Sequence, residues 1–244
     1  MILVVDAGNT RLKWGLHDGH GWVRRGVLEN ASIARLEHDW EKLPAPQQIV
    51  VCNVAGADVK AALENFLKRW QATPRWVVSQ AQECGVTNRY AVPAQLGPDR
   101  WAALIAARHQ TGQACVVVNA GTAVTVDALT KDGMFLGGLI LPGLGLMHAA
   151  LSDGTAGVRA ENGHLEKFPA NTADAVYSGA LQAAAGAVER MARELEQAGE
   201  AGCVTVLSGG SAAELAPLLN STTRVVDNLV LEGLLIIAQE RIAG

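Results

Sequence analysis

Two short segments of this 244-residue chain hold the residue types that handle phosphate. Asp6–Ala7–Gly8–Asn9–Thr10 follows the apolar run Ile2–Val5, and Asn119–Ala120–Gly121–Thr122–Ala123 follows Val116–Val118, 113 residues later. In each, a glycine permits a tight turn and lets backbone amides approach an anion closely. In the first, Asn9 and Thr10 add side-chain donors, Lys13 offers a cation or points to solvent, and Asp6 is suited to hold a phosphate-bound Mg²⁺. One such turn alone reads as an ordinary hairpin. Two at matched positions point to a polyphosphate held from both sides. Neither G-x-x-x-x-G-K-[ST] nor G-x-G-x-x-G follows a strand, so the expected phosphate loop is a β-hairpin.

The elements that must position these turns also repeat. Arg11–Leu16 and Val124–Leu129 read as second strands, Asp18–Gly19 and Asp132–Gly133 as hairpin turns, and Val23–Leu28 and Phe135–Leu141 as third strands. Beyond them the spacing predicts alternating helices and strands. In the first half these are a helix over Ser32–Leu43, a strand over Ile49–Val54, a helix over Val59–Trp70, a strand over Arg75–Ser79 and a helix over Asp99–His109. In the second they are an Ala-rich helix from a Thr172 cap to about Ala198, a strand over Cys203–Leu207, a helix over Ala212–Leu219, a strand over Arg224–Val226 and a closing helix over Leu229–Ile242. This is an α/β layout in two similar domains, 1–112 and 113–244. The loop Gln80–Gly97 shows little periodicity, and long irregular loops are often functional.

Composition removes several classes of function. Lys and Arg number 20 against 24 Asp and Glu, a net charge of −4 with no long basic run, so no nucleic-acid partner is expected. At 49% hydrophobic and 18% charged the chain has material for a large buried core. Met1–Val5 meets Asp6 at once, unlike a signal peptide, and the apolar runs fall far short of the ~20 residues that span a bilayer. Cys52, Cys84, Cys115 and Cys203 are scattered, which favours buried thiols and a reducing, cytoplasmic setting. The six histidines lack zinc spacing, and His148 reads as a satisfied core or interface residue. Small residues at Ala180, Ala184 and Ala187 permit close helix approach, within the core or across a dimer.

Together these residues resemble the acetate and sugar kinase, heat-shock ATPase and actin superfamily, and within it the type III pantothenate kinases. The motif D-x-G-N-[ST] is met by Asp6 to Thr10. N-x-Y…P-x-x-L-G-x-D-R is met by Asn88, Tyr90, Pro93, Leu96, Gly97, Asp99 and Arg100. The second phosphate motif, D-x-G-T-A-x-T-x-D, is met by Gly121, Thr122, Ala123, Thr125 and Asp127, with Asn119 where the family usually has Asp. G-G-x-x-P-G from Gly137, N-T from Asn171, S-G-G from Ser208 and L-E-G-L from Leu231 extend the likeness over nearly the whole chain.

The resemblance implies two ribonuclease H-like (actin-like ATPase) domains, each a mixed sheet with helices, around a central cleft. It implies ATP-dependent phosphorylation of pantothenate to 4'-phosphopantothenate, the first step of coenzyme A biosynthesis, by a cytoplasmic homodimer. ATP phosphates would meet Asp6, Ala7, Gly8, Asn9, Thr10, Arg11, Leu12, Lys13, Gly121 and Thr122, with Mg²⁺ bridging them and Gly209 and Gly210 bordering the adenosine. Asp99 would be the general base. Tyr90, Gly97, Pro98, Arg100 and, from the partner subunit, Thr172 would hold pantothenate. Asp99 also suits a helix cap, and Asp127 either faces Mg²⁺ or ends its strand as an ordinary carboxylate. The usual Asp at position 119 helps bind K⁺ or NH₄⁺ in the family, so Asn119 predicts a weak or absent monovalent-cation requirement. Two other readings stay open: a small-molecule kinase with another substrate, or a non-catalytic regulatory protein keeping the fold, as some relatives are called Bvg accessory factors.

Overall fold

The computed structural model describes residues 1–155, 158 and 163–240. It divides into two compact units, Met1–Gln110 with Asn228–Gly244, and Thr111–Asp227. The first opens with β1 (Ile2–Ala7), β2 (Arg11–His17) and β3 (Trp22–Glu29), then a 3-10 segment, Asn30–Arg35, that runs into α1 (Leu36–Trp40). Next come β4 (Gln48–Asn53), α2 (Ala57–Leu67), β5 (Pro74–Trp76), the hairpin of β6 (Gln82–Glu83) and β7 (Val86–Asn88), and α3 (Pro98–Thr111). The second unit holds β8 (Cys115–Ala120), β9 (Ala123–Leu129), β10 (Met134–Pro142), α4 (Leu144–Gly154), α5 (Thr172–Gln197), β11 (Val204–Ser208), α6 (Ala212–Leu215) and β12 (Thr223–Val225). Helix α7 (Leu229–Glu240) then returns to the first unit.

In the first unit the strand order is β3-β2-β1-β4-β5, with β1 antiparallel to β2 and parallel to β4. In the second the order is β10-β9-β8-β11-β12, with β8 antiparallel to β9 and parallel to β11. The two orders are the same, and both are the mixed ribonuclease H-like sheet expected from the repeat. The reason is in the strands. β1 and β8 are apolar throughout up to their last two residues, as a central strand buried on both faces must be.

Alternation then sorts the side chains. Leu3, Val5, Ala7, Leu12, Trp14, Leu16, Ile49 and Val51 face a core closed by Leu36, Trp40, Leu63 and Leu67. Trp14 and Trp40 meet edge to face there, with ring centroids 6.0 Å apart. On the sheet's other face α7 packs against β1, β2 and β4. A Cβ built at Gly233 of α7 would lie 1.9 Å from the Ala102 carbonyl oxygen of α3, so the two helix backbones touch there. In the second unit Val116, Val118, Val124 and Val126 pack against Ala184, Ala185, Val188 and Leu195 of α5. Ala184 thus belongs to that unit's own core, and Ala180 to a smaller cluster with Leu144 and Leu181.

Several expectations change. The helix expected over Ser32–Leu43 is a 3-10 segment, non-helical at Ser32 (φ −106°, ψ 20°), followed by five residues of α-helix. Serine is a weak helix former, which suits an interruption there. Helix α4 was not expected, and the irregular loop contains the β6–β7 hairpin. The expected end of the last helix, at Ile242, lies outside the described residues. All four cysteines are free. Among the described residues, no helix is long and apolar enough to cross a membrane.

Candidate active site

The first cluster forms where β1 ends. Register places Asp6 opposite Lys13 on β2 and opposite Cys52 on β4, so all three side chains share the face away from the Trp14 core. Asp6 is buried, and its Oδ1 atom has no hydrogen-bond partner. Its pKa rises to about 7, first because burial strips water from the carboxylate and next because the Asp99 charge lies close; Lys13 and a hydrogen bond with Cys52 pull the other way. An oxygen of this kind, buried, anionic and unmatched, fits a hard cation such as Mg²⁺.

The turn after Asp6 closes through Gly8 N–H donating to the Arg11 carbonyl at 3.1 Å. Ala7 and Leu12, the residues flanking it, bury their side chains in the core, so they offer a ligand only backbone. Asn9, Thr10 and Arg11 are exposed. The turn is tied down by Asn30, whose Nδ2 donates to the carbonyls of Gly8 (2.8 Å) and Asn9 (2.9 Å) and whose backbone N–H donates to Thr10 (3.0 Å). Sequence reasoning missed Asn30. A lone Asn after a third strand has no spacing signal, and only the β2–β3 register brings it back to this turn.

Asp99 is the second residue of α3, after Pro98, whose fixed φ suits a helix start. Its carboxylate sits so close over the preceding residue that a Cβ at Gly97 would lie 2.5 Å from Oδ1. Gly97 leaves room for the Asp99 carboxylate in this position. Arg100 is buried; its Nη1 donates to the Tyr90 hydroxyl at 3.2 Å, with the guanidinium 5.9 Å from the ring centroid. Asn88 shapes the loop between them, donating to the Pro93 carbonyl (3.2 Å) and accepting from Tyr90 N–H (3.0 Å). Trp101 Nε1 donates to Glu83 (3.0 Å), which pairs with Arg75 of β5, so the expected substrate loop is fixed to the sheet.

The second cluster forms where β8 ends. Gly121 N–H donates to the Ala123 carbonyl at 3.0 Å, and Gly143 N–H donates to the Thr122 carbonyl at 2.9 Å. A Cβ at Gly143 would lie 2.2 Å from the Gly121 oxygen, and one at Gly209 (φ +107°) 2.4 Å from the Ala120 oxygen. Register places Asn119 opposite Thr125 on β9 and opposite Ser208 on β11. Asp127 lies two residues beyond Thr125 on the same face, in mid-strand and 1% exposed, and so not in the Gly121–Thr122 turn. Thr172 begins α5 but does not cap it: the cap is Asn171, whose side chain accepts from Asp174 N–H at 2.9 Å. Exposed Thr172 lines an apolar groove of about 830 Å³ with Pro142, Met147, Leu151 and Pro169. His148, expected to be satisfied, has a buried Nε2 without a hydrogen-bond partner.

A family model described as type III pantothenate kinase matches residues 2–194. The chain belongs to the type III pantothenate kinase family. A type III pantothenate kinase from Nitrosospira multiformis is 51% identical to it over 98% of this chain and 92% of that one. Two solved structures share the fold across 99% of the chain. One is a Campylobacter jejuni protein named for the Baf family of transcriptional activators (TM-score 0.64, 22% identity, all of that chain covered). The other is MreB 5 of Spiroplasma citri bound to AMPPNP (TM-score 0.56, 11% identity, 97% of that chain covered). A type III pantothenate kinase is a phosphotransferase, and phosphoryl transfer asks a protein mainly for positioning and charge neutralisation. Glycine turns and a buried, unmatched carboxylate are suited to both.

Proposed function

We propose that this chain phosphorylates the primary hydroxyl of pantothenate from ATP, giving 4'-phosphopantothenate for coenzyme A synthesis. Family membership supports the reaction, and the observation that ties it to this molecule is the pairing of Asp6 with Asp99 in the first unit. One carboxylate is buried with an unmatched oxygen, and the other is half-buried at a helix start within electrostatic reach. In this reading Asp6 holds the divalent cation, which when bound neutralises phosphate charge. Asp99 takes the proton from the hydroxyl at its carboxylate oxygen. Arg100, oriented by Tyr90, holds the substrate carboxylate, for which a planar guanidinium is suited. Residues Gly8 to Lys13, and Gly121 and Thr122, meet phosphate oxygens in this reading, with Asn9, Thr10 and Lys13 offering side-chain donors.

The same reading includes a homodimer in which Thr172 reaches the partner's pantothenate, a cytoplasmic location, and little need for K⁺ or NH₄⁺. The last rests on Asn119, neutral and flanked by Thr125 and Ser208. A binding protein that merely keeps the fold accounts poorly for Asp6, because an unmatched buried carboxylate destabilises the empty protein. The test is ADP release from ATP and Mg²⁺ with and without pantothenate. Asp99→Asn should lower the pantothenate-dependent rate by about 10²–10⁴, as loss of a general base does. A folded wild type with no pantothenate-dependent turnover would overturn the reading.

A further inference from the structure

A single residue binds three successive carbonyls of the first glycine turn. Asn30 Nδ2 donates to the Gly8 carbonyl at 2.8 Å and to the Asn9 carbonyl at 2.9 Å, and the Asn30 backbone N–H donates to the Thr10 carbonyl at 3.0 Å. Both protons of the side-chain amide are therefore committed to the turn. Its oxygen, Oδ1, is buried and has no hydrogen-bond partner. Nor does that oxygen cap the 3-10 segment Asn30–Arg35, which has no side-chain cap. Rotating the amide by half a turn would set Oδ1 against two carbonyl oxygens, so the turn fixes its orientation. A buried acceptor left unmet lowers stability. The fold keeps it unmet so that both amide protons reach the turn.

We propose that Asn30 is a positioning residue: by binding the carbonyls of Gly8, Asn9 and Thr10 it keeps their oxygens off the phosphate side of the turn. This deepens the kinase reading and rests on that turn meeting phosphate. The physics lies in the planar peptide. Among the described residues no peptide bond is cis, so each N–H points opposite to the C=O of its own plane. With the Gly8 and Asn9 carbonyls drawn to one amide nitrogen, the N–H groups of Asn9 and Thr10 are directed to the other side of the turn. A carbonyl oxygen carries partial negative charge and repels phosphate, whereas a backbone N–H attracts it. Asn9 and Thr10 are exposed, and the Asn30 side chain ends in a buried oxygen, so its amide meets the turn from the protein side.

Two variants at this position separate donor from volume, and a third tests the turn itself. Asn30→Leu fills a similar space without a donor. Asn30→Asp keeps the outline but sets an anion against the carbonyls. Thr10→Glu, at an exposed position, puts an acid into the turn. Two readouts apply: the calorimetric Kd of ATP with Mg²⁺ but without pantothenate, which needs no turnover, and KM for pantothenate at saturating ATP. Asn30→Leu is expected to weaken ATP binding by about 10-fold, the scale of one or two lost hydrogen bonds. Asn30→Asp should weaken it further, because a carboxylate beside the turn also repels phosphate. KM for pantothenate should stay unchanged in both. If Thr10→Glu weakens ATP binding but Asn30→Leu and Asn30→Asp bind as wild type does, the role of Asn30 is overturned and the kinase reading stands. If Thr10→Glu binds ATP normally, the turn does not meet phosphate, and the proposal falls with that part of the reading. If the Asn30 variants raise KM for pantothenate as much as Kd for ATP, Asn30 serves the whole unit rather than the phosphate turn, and the proposal fails.

Discussion

The two units build the same strand end twice and equip it differently. Asp6 and Asn119 are each the fifth residue of their central strand, each with one neighbour on an antiparallel strand and one on a parallel strand. In the first unit the neighbours are Lys13 and Cys52; in the second they are Thr125 and Ser208. The acid is at the strand end in one copy and two residues further along the neighbouring strand, at Asp127, in the other. The position in the first unit that corresponds to Asp127 is Gly15, over which the Trp22 ring lies. The turns differ as well: Gly8–Asn9–Thr10–Arg11 is held by the Asn30 side chain, whereas the shorter Gly121–Thr122–Ala123 is held by the backbone of Gly143. One frame can thus place charge at a turn or leave the turn neutral, because the strand register decides what surrounds it.

Making the first copy like the second is the severest way to break this contrast. Asp6→Asn should reduce turnover by about 10² or more, the scale on which a group that stabilises reaction charge is worth. The same change should stabilise the cation-free protein above neutral pH. The folded-state pKa of Asp6 is raised from 3.8 to about 7, so the folded form binds this proton more tightly than the unfolded chain does. The stability this group contributes is complete below about pH 4, falls between pH 4 and 7, and is gone above 7. The melting temperature of Asp6→Asn minus that of the wild type, without divalent cation, should therefore grow from pH 4 to pH 8. A few kcal/mol over a chain of this size corresponds to roughly 5–10 °C. A difference independent of pH would show that Asp6 is charged at little cost in the fold.

Making the second copy like the first is gentler. Asn119→Asp returns a charge to a neutral, hydroxyl-flanked position, so the rate in K⁺ relative to Na⁺ should rise from near equality. One charge at ~4 Å and an effective dielectric of ~20 gives about 4 kcal/mol of gross attraction, of which desolvation removes most. About tenfold in K⁺ affinity, 1.4 kcal/mol, is the expected remainder. Strict K⁺ dependence in the wild type would show instead that Thr125, Ser208 and neighbouring carbonyls suffice without the acid.

How much of this was legible depends on how local each signal is. The repeated strands were readable because β1 and β8 are continuous apolar runs and β2 and β9 follow at once. Helix α4 was not: glycines at 143, 145 and 154 give it the composition of a loop. It forms because Leu144 and Met147 pack with Leu181 of α5 and because Gly143 meets the β8–β9 turn. Asp6 stood out by type and position, and Asp99, Arg100 and Tyr90 through the resemblance of their segment to the family's substrate motif. Asn30 did not, since a lone Asn after a third strand carries no spacing signal. Its partners Gly8 and Asn9 lie 22 and 21 residues away, and only the strand register brings them together.

The smallest test concerns how the two turns are held, and it reads stability alone. A Cβ at Gly143 would lie 2.2 Å from the Gly121 oxygen and 2.5 Å from the Thr122 oxygen, both of them backbone, so one segment must move. A Cβ at Gly121 would meet only the Ala123 oxygen, at 3.6 Å, an ordinary contact. Gly143→Ala should then cost about 1–3 kcal/mol in urea unfolding, the usual price of overpacking, while Gly121→Ala should stay within about 0.5 kcal/mol. Gly8→Ala falls between them, because its added Cβ would lie 3.1 Å from the Arg11 oxygen of its own turn, which can shift with it. The ranking Gly143, Gly8, Gly121 follows from what buttresses each turn. A reversed order would mean that the second turn yields more easily than the backbone contact from Gly143 allows.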